Sequence, residues 1–514
     1  MNDDVPLRTS EPTLRTTSMP APTDGRALPD PVPPEHARIG AHGREQRAFD
    51  RAAGDLQRHL PISPTWGDES AAVSGALQWA ATHTAIGSDP NTAPRSAEEL
   101  HREIGETITE GGIGHARALE LFDAAMVPAT AAMDHPMNLA YIPSAPTRSS
   151  VAFDAAVSAA NVFGGIWGAG AGVIYAENQV LDWLRGMLGW PDSSAGVFVS
   201  GGTIGNLSAL AAARDRAQRH RGERPATGWA LACATTAHSS IASAAKLLDM
   251  QLIQVPVDER RHLTGENLAQ VLAEHPEIVA VVCSGGTTNA GIVDDIGSVV
   301  EVAHPHNVWV HVDGAYGGAA LAAPSTRDRF AGIERADSFI VDPHKWLFAP
   351  YDCCALLYRE PEHAAAAHSQ HAEYLESIDR GESNPSDLAA HLSRRVRGLP
   401  LWYSLASHGT EAYARAVERC LASARTVARA IEDADHLRLL LEPELSVVVF
   451  DRPGWDDAAY DRWSNRLARD GVVLCLPTRH DGEKALRMAF VNPDTDPTVV
   501  IDILTTTMLT SDGS

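Results

Sequence analysis

Long apolar runs are missing from this sequence. Its 514 residues contain nothing close to the roughly 20 consecutive apolar positions that a bilayer-spanning helix needs, so no membrane partner is expected. With 44% hydrophobic and 21% charged residues the composition is that of a soluble globular protein. Cysteine is scarce: Cys233, Cys283, Cys353, Cys354, Cys420 and Cys475 lie scattered, mostly inside apolar runs, without CxxC spacing or the density of a disulfide framework. Buried free thiols in a reducing, cytoplasmic setting are the expectation. The opening Met-Asn-Asp-Asp, followed by Pro, Thr, Arg and Ser, has no apolar core and does not read as a secretory signal. Positive charge is also short. The 42 basic against 66 acidic side chains give a net charge of -24, which repels polyanions, and no local basic cluster offsets it, so nucleic acid is not an expected partner. His363, His368 and His371 show no recognised metal-ligand pattern, and no metal is expected. There is no internal repeat.

The length suggests two or three structural units. Residues 1–44 carry eight prolines and little apolar periodicity, too little to offset the entropy of ordering, and are expected to form a disordered tail. Helical patterns near 44–60, 96–108 and 114–132 make 45–134 an N-terminal helical segment. From about 150 the pattern alternates. Short runs rich in Val and Ile at Val197–Ser200, Trp229–Ala234, Leu252–Val257, Ile278–Cys283, Val308–Val312, Ser338–Val341 and Cys354–Tyr358 are too short for helices and read as strands. Helical patterns between them (209–219, 239–248, 264–274) predict an α/β domain over 135–395, a mostly parallel seven-stranded sheet covered on both faces. Such sheets bind ligands at the carboxyl ends of their strands. A helix over 410–434, strands near 445–450, 472–476 and 486–490, and helices at 456–469 and 496–508 predict a small α+β domain over 396–510.

Three motifs fall at predicted strand ends. Ser200-Gly201-Gly202-Thr203-Ile204-Gly205-Asn206 joins a strand to a helix. Its glycines let the backbone approach an anion, the helix terminus offers free N–H groups and Thr203 adds a hydroxyl, which suits a phosphate. Alone such a motif is more often only a turn, and it has neither GxGxxG spacing nor the lysine of a P-loop. Trp309-Val310-His311-Val312-Asp313-Gly314-Ala315-Tyr316 delivers Asp313 at a strand end, where a carboxylate can keep a pyridine nitrogen protonated. A helix cap or a metal carboxylate is the alternative. Asp342-Pro343-His344-Lys345-Trp346 places a lysine between a histidine and an aromatic. Lysines are ordinarily solvated surface groups, but one buried here could lose its proton and form an imine with an aldehyde.

Together with HPMNLAYIPSAP, YAENQVLDWL, AHSSIASAAK, GGTTNAGIVDDI and LRMAFVNP, these motifs occur in the order and at the separations of one family. The chain resembles the group II pyridoxal-phosphate decarboxylases, which act on aromatic amino acids, glutamate, histidine and diaminobutyrate. The resemblance runs from about His135 to about Pro493. It implies a fold type I enzyme with pyridoxal 5'-phosphate held by Lys345 as a Schiff base, Asp313 on the ring nitrogen, Ala315 against the ring, and His238 stacked on it and touching the reacting carboxylate. It makes Gly202 and Thr203 phosphate binders, with Ser144, Asp342 and His344 as further members, and puts Thr288 near the ring hydroxyl. It also implies a homodimer, 135–395 as the cofactor-binding domain, and a mobile loop near 368–395.

The sequence departs from that family in one place. A loop tyrosine commonly returns the proton to Cα, yet residues 376–394 contain none, and the expected slot falls near Pro385. Tyr374 and His391 are the candidate donors. The expected reaction is decarboxylation of an L-amino acid to the amine and CO2, and the alternative is an oxygen-dependent reaction giving an aldehyde. A catalytically silent scaffold would need none of Lys345, Asp313 and His238. By resemblance, Met137–Pro143 and Phe163–Trp167 line the side-chain pocket, and their apolar character favours an aromatic or aliphatic substrate.

Overall fold

Seven strands form the main sheet: β1 (Ala195–Val199), β2 (Ala230–Ala234), β3 (Gln251–Val255), β4 (Ile278–Ser284), β5 (Trp309–Asp313), β6 (Ser338–Val341) and β7 (Cys354–Tyr358). In this computed structural model, which describes residues 62–89, 94–370 and 382–509, their order is β1-β7-β6-β5-β4-β2-β3. Only β7 runs against the others, pairing antiparallel with β1 and β6. The elements that build the site belong to the compact unit Gly75–Ser514.

The strands are legible because both faces of the sheet are covered. Along β4 every residue is buried, so no polar residue needs to alternate. Val197, Val199, Leu231, Val282, Trp309 and Ile340 pack on one side with Ala209, Leu210 and Ala213 of the helix Gly202–Arg221. Phe198, Ala232, Val281, Val310, Val312 and Phe339 pack on the other with Leu268 of the helix Gly265–Glu274 and Val299 of Ile296–Ala303. Each such Val, Leu or Phe contributes about 1.5–3 kcal/mol by leaving water. The registers Ser284↔Asp313 and Asp313↔Ile340 align the carboxyl ends of β4, β5 and β6 on one edge.

A second sheet, in the order β10-β11-β9-β8, contains β8 (Arg438–Leu441), β9 (Val447–Asp451), β10 (Leu476–His480) and β11 (Glu483–Ala489). The helices Thr410–Glu432, Asp457–Arg469 and Pro497–Thr507 cover it around a core that includes Val448, Phe450, Trp463, Leu486 and Phe490.

Two local expectations change. Val472–Cys475 is not a strand: Leu139 N donates to Leu474 O and Leu474 N to Met137 O, and the strand proper starts at Leu476. The pattern over 114–132 forms the helix His115–Leu121, then a π turn over Phe122–Met126, and stops. The tail 1–44, the pattern near 44–60 and Tyr374 lie outside the described residues.

Candidate active site

The cavity sits where the parallel strands end. It holds about 320 Å³ and is lined from the carboxyl ends of five strands: Gly202 and Thr203 after β1, His238 after β2, Thr288 after β4, Asp313 at the end of β5 with Ala315 just beyond it, and Asp342, His344 and Lys345 after β6. Five loops from one sheet edge thus bring together nine of the ten residues singled out from the sequence. The tenth, Ser144, is buried outside the lining and donates from Oγ to Ala349 O (3.3 Å).

Each wall has its own chemistry. At Gly202 a Cβ would lie 3.1 Å from both Ala315 Cβ and Asp342 Oδ2, so any larger residue would have to push these neighbours aside. Among the described residues no side chain caps that helix, which leaves its first N–H groups for an anion. His238 ends the next loop by capping the helix Ser239–Leu247, its Nδ1 accepting from Ser240 N (3.2 Å) and lying 2.9 Å from Ser240 Oγ. Asp313, 9% exposed, is fixed at both oxygens: Oδ1 accepts from Ala315 N (3.1 Å) and Oδ2 from Asn206 Nδ2 (2.9 Å).

Lys345 Nζ lies 2.9 Å from Asp342 Oδ2. Burial alone would drive its proton off, but the Asp342 carboxylate, helped by Asp313, outweighs that and holds the ammonium above the usual lysine range. The expectation that burial deprotonates Lys345 is therefore corrected by its partner. Asp342 Oδ1 is buried and has no hydrogen-bond partner among the described residues. His344 Nδ1 lies 2.7 Å from Cys353 O, and burial lowers its pKa below the ordinary value.

Of the two proton donors considered from the sequence, Tyr374 lies outside the described residues and His391 can be placed. His391 is not in the lining, and burial, reinforced by Arg394, drops its pKa to about 4, so near neutrality it is a neutral imidazole and not the acidic imidazolium. Pro385 is buried beside a contact in which Ser386 N donates to Gly165 O (3.1 Å), also away from the cavity. The runs Met137–Pro143 and Phe163–Trp167 do not line the cavity among the described residues.

Sequence reasoning missed Asn206, Ser240, Tyr351 and Asp352 of the lining, and His311 behind it. A signal existed for His311: two positions before Asp313 on a strand, it must share that residue's face. Tyr351 had none, because a tyrosine between two strands is unremarkable until the loop is folded.

The lining fits pyridoxal phosphate: an amine for its aldehyde, a carboxylate for its ring nitrogen and an uncapped helix start for its phosphate. The six cysteines are free and buried, and no helix among the described residues is long and apolar enough to cross a membrane.

Comparison with known proteins agrees. Residues 119–452 match the pyridoxal-dependent decarboxylase conserved domain. The chain is 28% identical over 434 residues to an aromatic-L-amino-acid decarboxylase of Bacillus atrophaeus, covering 81% of this chain and 90% of that enzyme. It is 28% identical over 381 residues to an L-2,4-diaminobutyrate decarboxylase of Acinetobacter baumannii, covering 69% and 74%. A crystal structure of Oryza sativa TDC with pyridoxal phosphate and tryptamine superposes with a TM-score of 0.80 at 24% identity, over 88% of this chain and all of that one, which supports the fold. The chain belongs to the pyridoxal-dependent decarboxylases, and is a carboxy-lyase that works with pyridoxal phosphate.

Proposed function

We propose that this enzyme removes CO2 from an aromatic or aliphatic L-amino acid and releases the amine, with Lys345 holding the cofactor's aldehyde carbon. The observation that carries the reading is the convergence of Lys345, Asp313 and His238 with the uncapped helix start at Gly202 on one cavity. Bound there, the cofactor supplies an electron sink for the breaking bond. Asp313 would keep the ring nitrogen protonated, His238 and Ala315 would enclose the ring, Thr288 would meet the ring hydroxyl, and Gly202, Thr203 and His344 would hold the phosphate. Asp342 orients Lys345. The aromatic relative from Bacillus atrophaeus, matched over most of both chains, supports the substrate class.

Releasing the amine requires one proton at Cα per turnover. Tyr351 lines the cavity while staying 52% exposed, its hydroxyl has no hydrogen-bond partner among the described residues, and partial desolvation moves its pKa above the ordinary phenol value. It keeps its proton at neutral pH and is the proposed donor. The competing reading, in which oxygen intercepts the reaction and aldehyde, ammonia and peroxide form, rests on the tyrosine missing from residues 376–394.

Two variants and one assay decide. Lys345→Ala should lose both the visible absorption of the bound cofactor and turnover. With wild type, amine and CO2 should appear in equal amounts; stoichiometric peroxide without amine would sink the first reading. Tyr351→Phe should shift product from amine toward aldehyde, and an unchanged ratio removes Tyr351 as donor.

We further infer a homodimer in a reducing compartment. The exposed apolar side chains Ile108, Phe122 and Met126 are suited to a second copy, and the six buried thiols to the compartment. Light scattering that returns a single-chain mass would refute the dimer.

A further inference from the structure

Behind Asp313 and His238 runs a buried hydrogen-bond chain whose direction is fixed by chemistry. An ionised carboxylate only accepts, so the Asn206 atom 2.9 Å from Asp313 Oδ2 is the amide nitrogen. That turns Asn206 Oδ1 toward His311 Nε2, 2.8 Å away, and the imidazole must carry its proton there. His311 Nδ1 then accepts from Ser338 Oγ at 2.8 Å. The same hydroxyl accepts from Trp309 Nε1 at 2.7 Å, since an indole N–H can only donate.

The other branch leads to the cavity. The second amide proton of Asn206 goes to Ser240 Oγ at 3.0 Å, which frees the Ser240 hydroxyl to donate to His238 Nδ1 at 2.9 Å. Ser240 N donates to the same nitrogen at 3.2 Å. A ring nitrogen that accepts twice holds no proton, so the proton of neutral His238 sits on Nε2. Every donor points from Trp309 toward Asp313 and His238.

We propose that Asn206 is a positioning residue that couples the two cofactor-facing groups, holding the Asp313 carboxylate in place and fixing His238 as the Nε2–H tautomer, while His311 and Ser338 set its own orientation. The proposal rests on the reading that Asp313 and His238 meet the cofactor. Asn206, His311 and Ser338 are each no more than 1% exposed, so water offers no replacement partners and a reversed amide would face oxygen to oxygen. Burial lowers the His311 pKa to about 4, which keeps it in the neutral state, with one donor and one acceptor, that the chain requires.

The test uses the holoenzyme. Asn206→Asp keeps the shape but replaces both amide protons with an acceptor. The visible absorption of the resting cofactor should then titrate about one pH unit or more from wild type, and kcat should fall roughly 10- to 100-fold with little change in KM. Ser240→Ala cuts only the His238 branch: kcat should fall while the resting titration stays at its wild-type position. His311→Leu and His311→Gln test the same link from a residue away from the cavity, and serve if Asn206→Asp does not fold. Leucine should reproduce the spectral displacement; glutamine, which keeps a donor, should restore the wild-type curve. A normal, Lys345-dependent band that responds to neither Asn206→Asp nor His311→Leu overturns the coupling alone. A band indifferent to Lys345→Ala overturns the assignment of the site beneath it.

Discussion

At the scale of single residues, Lys345 shows how a partner reverses what burial alone would do. Asp342 and Lys345 are three apart, and the helical turn Pro343–Trp346 places Nζ on the carboxylate. The sequence displays that spacing, but not the turn that makes it an ion pair. The sign of the consequence follows directly. Only the neutral amine attacks an aldehyde, and a raised pKa lowers the neutral fraction at any pH below it. Loading of the apoenzyme with pyridoxal phosphate should therefore accelerate with pH, about tenfold per unit while the ammonium dominates. Asp342→Asn removes the main stabiliser of the charge, so the same rising limb should appear at lower pH. Mixing apoenzyme with cofactor and following visible absorbance measures both curves. A loading rate that is flat from pH 6 to pH 9 would contradict the role given to Asp342.

At the scale of elements, legibility tracks burial. The seven strands of the main sheet stand out because continuous Val, Ile, Ala and Leu runs are required where both faces are covered, as along β2 and β4. β8 escaped notice because Arg438 is exposed and Arg438–Leu441 is only four residues long. The helices Arg148–Ala160 and Trp167–Leu188 also gave little signal. The second is rich in Gly and Ala and buries Glu177 along with its apolar residues, so no clean apolar stripe marks it. Glu177 has a partner distant in sequence: Arg394 Nη2 lies 2.7 and 2.6 Å from its two oxygens, and Arg394 Nη1 donates to Gly164 O at 2.9 Å. Gly398 N donates to the same carboxylate at 2.8 Å. The pair, 1% and 3% exposed, ties Trp167–Leu188 to the start of the helix Leu399–His408. Breaking a buried pair leaves one charge uncompensated, so Glu177→Gln should cost about 3–5 kcal/mol. Urea unfolding compares it with wild type, and a loss below about 1 kcal/mol would show that solvent reaches Arg394.

At the scale of the whole molecule, the two sheets meet at the loops that form the cavity. The segment between β8 and β9 reaches both: Glu444 Oε2 accepts from Val293 N (3.0 Å) in the loop that carries Thr288, and Ser446 N donates to Tyr316 Oη (3.0 Å) in the loop after Asp313. His262 Nε2, 2.7 Å from Glu444 Oε1, adds a third tie. None of this was visible in the sequence, because each tie joins residues more than a hundred positions apart and uses Glu, Ser and Tyr, which any surface would accept. The main-sheet motifs were legible for the opposite reason, since each sits within one strand-and-loop unit. If the cavity loops are clamped between the sheets, a ligand filling the cavity stabilises both sheets together. Free cofactor at a hundred times its dissociation constant should then raise the unfolding free energy by about 2.7 kcal/mol. Trp309 and Trp346 report on the main sheet and Trp455 and Trp463 on the second core, so tryptophan fluorescence and the visible cofactor band should disappear in one coincident transition. Tyr316→Phe removes one tie without emptying the core, and should separate the two signals on heating. A cofactor band lost well before the tryptophan change in the wild-type enzyme would show that the sheets unfold independently and that the clamp does not hold.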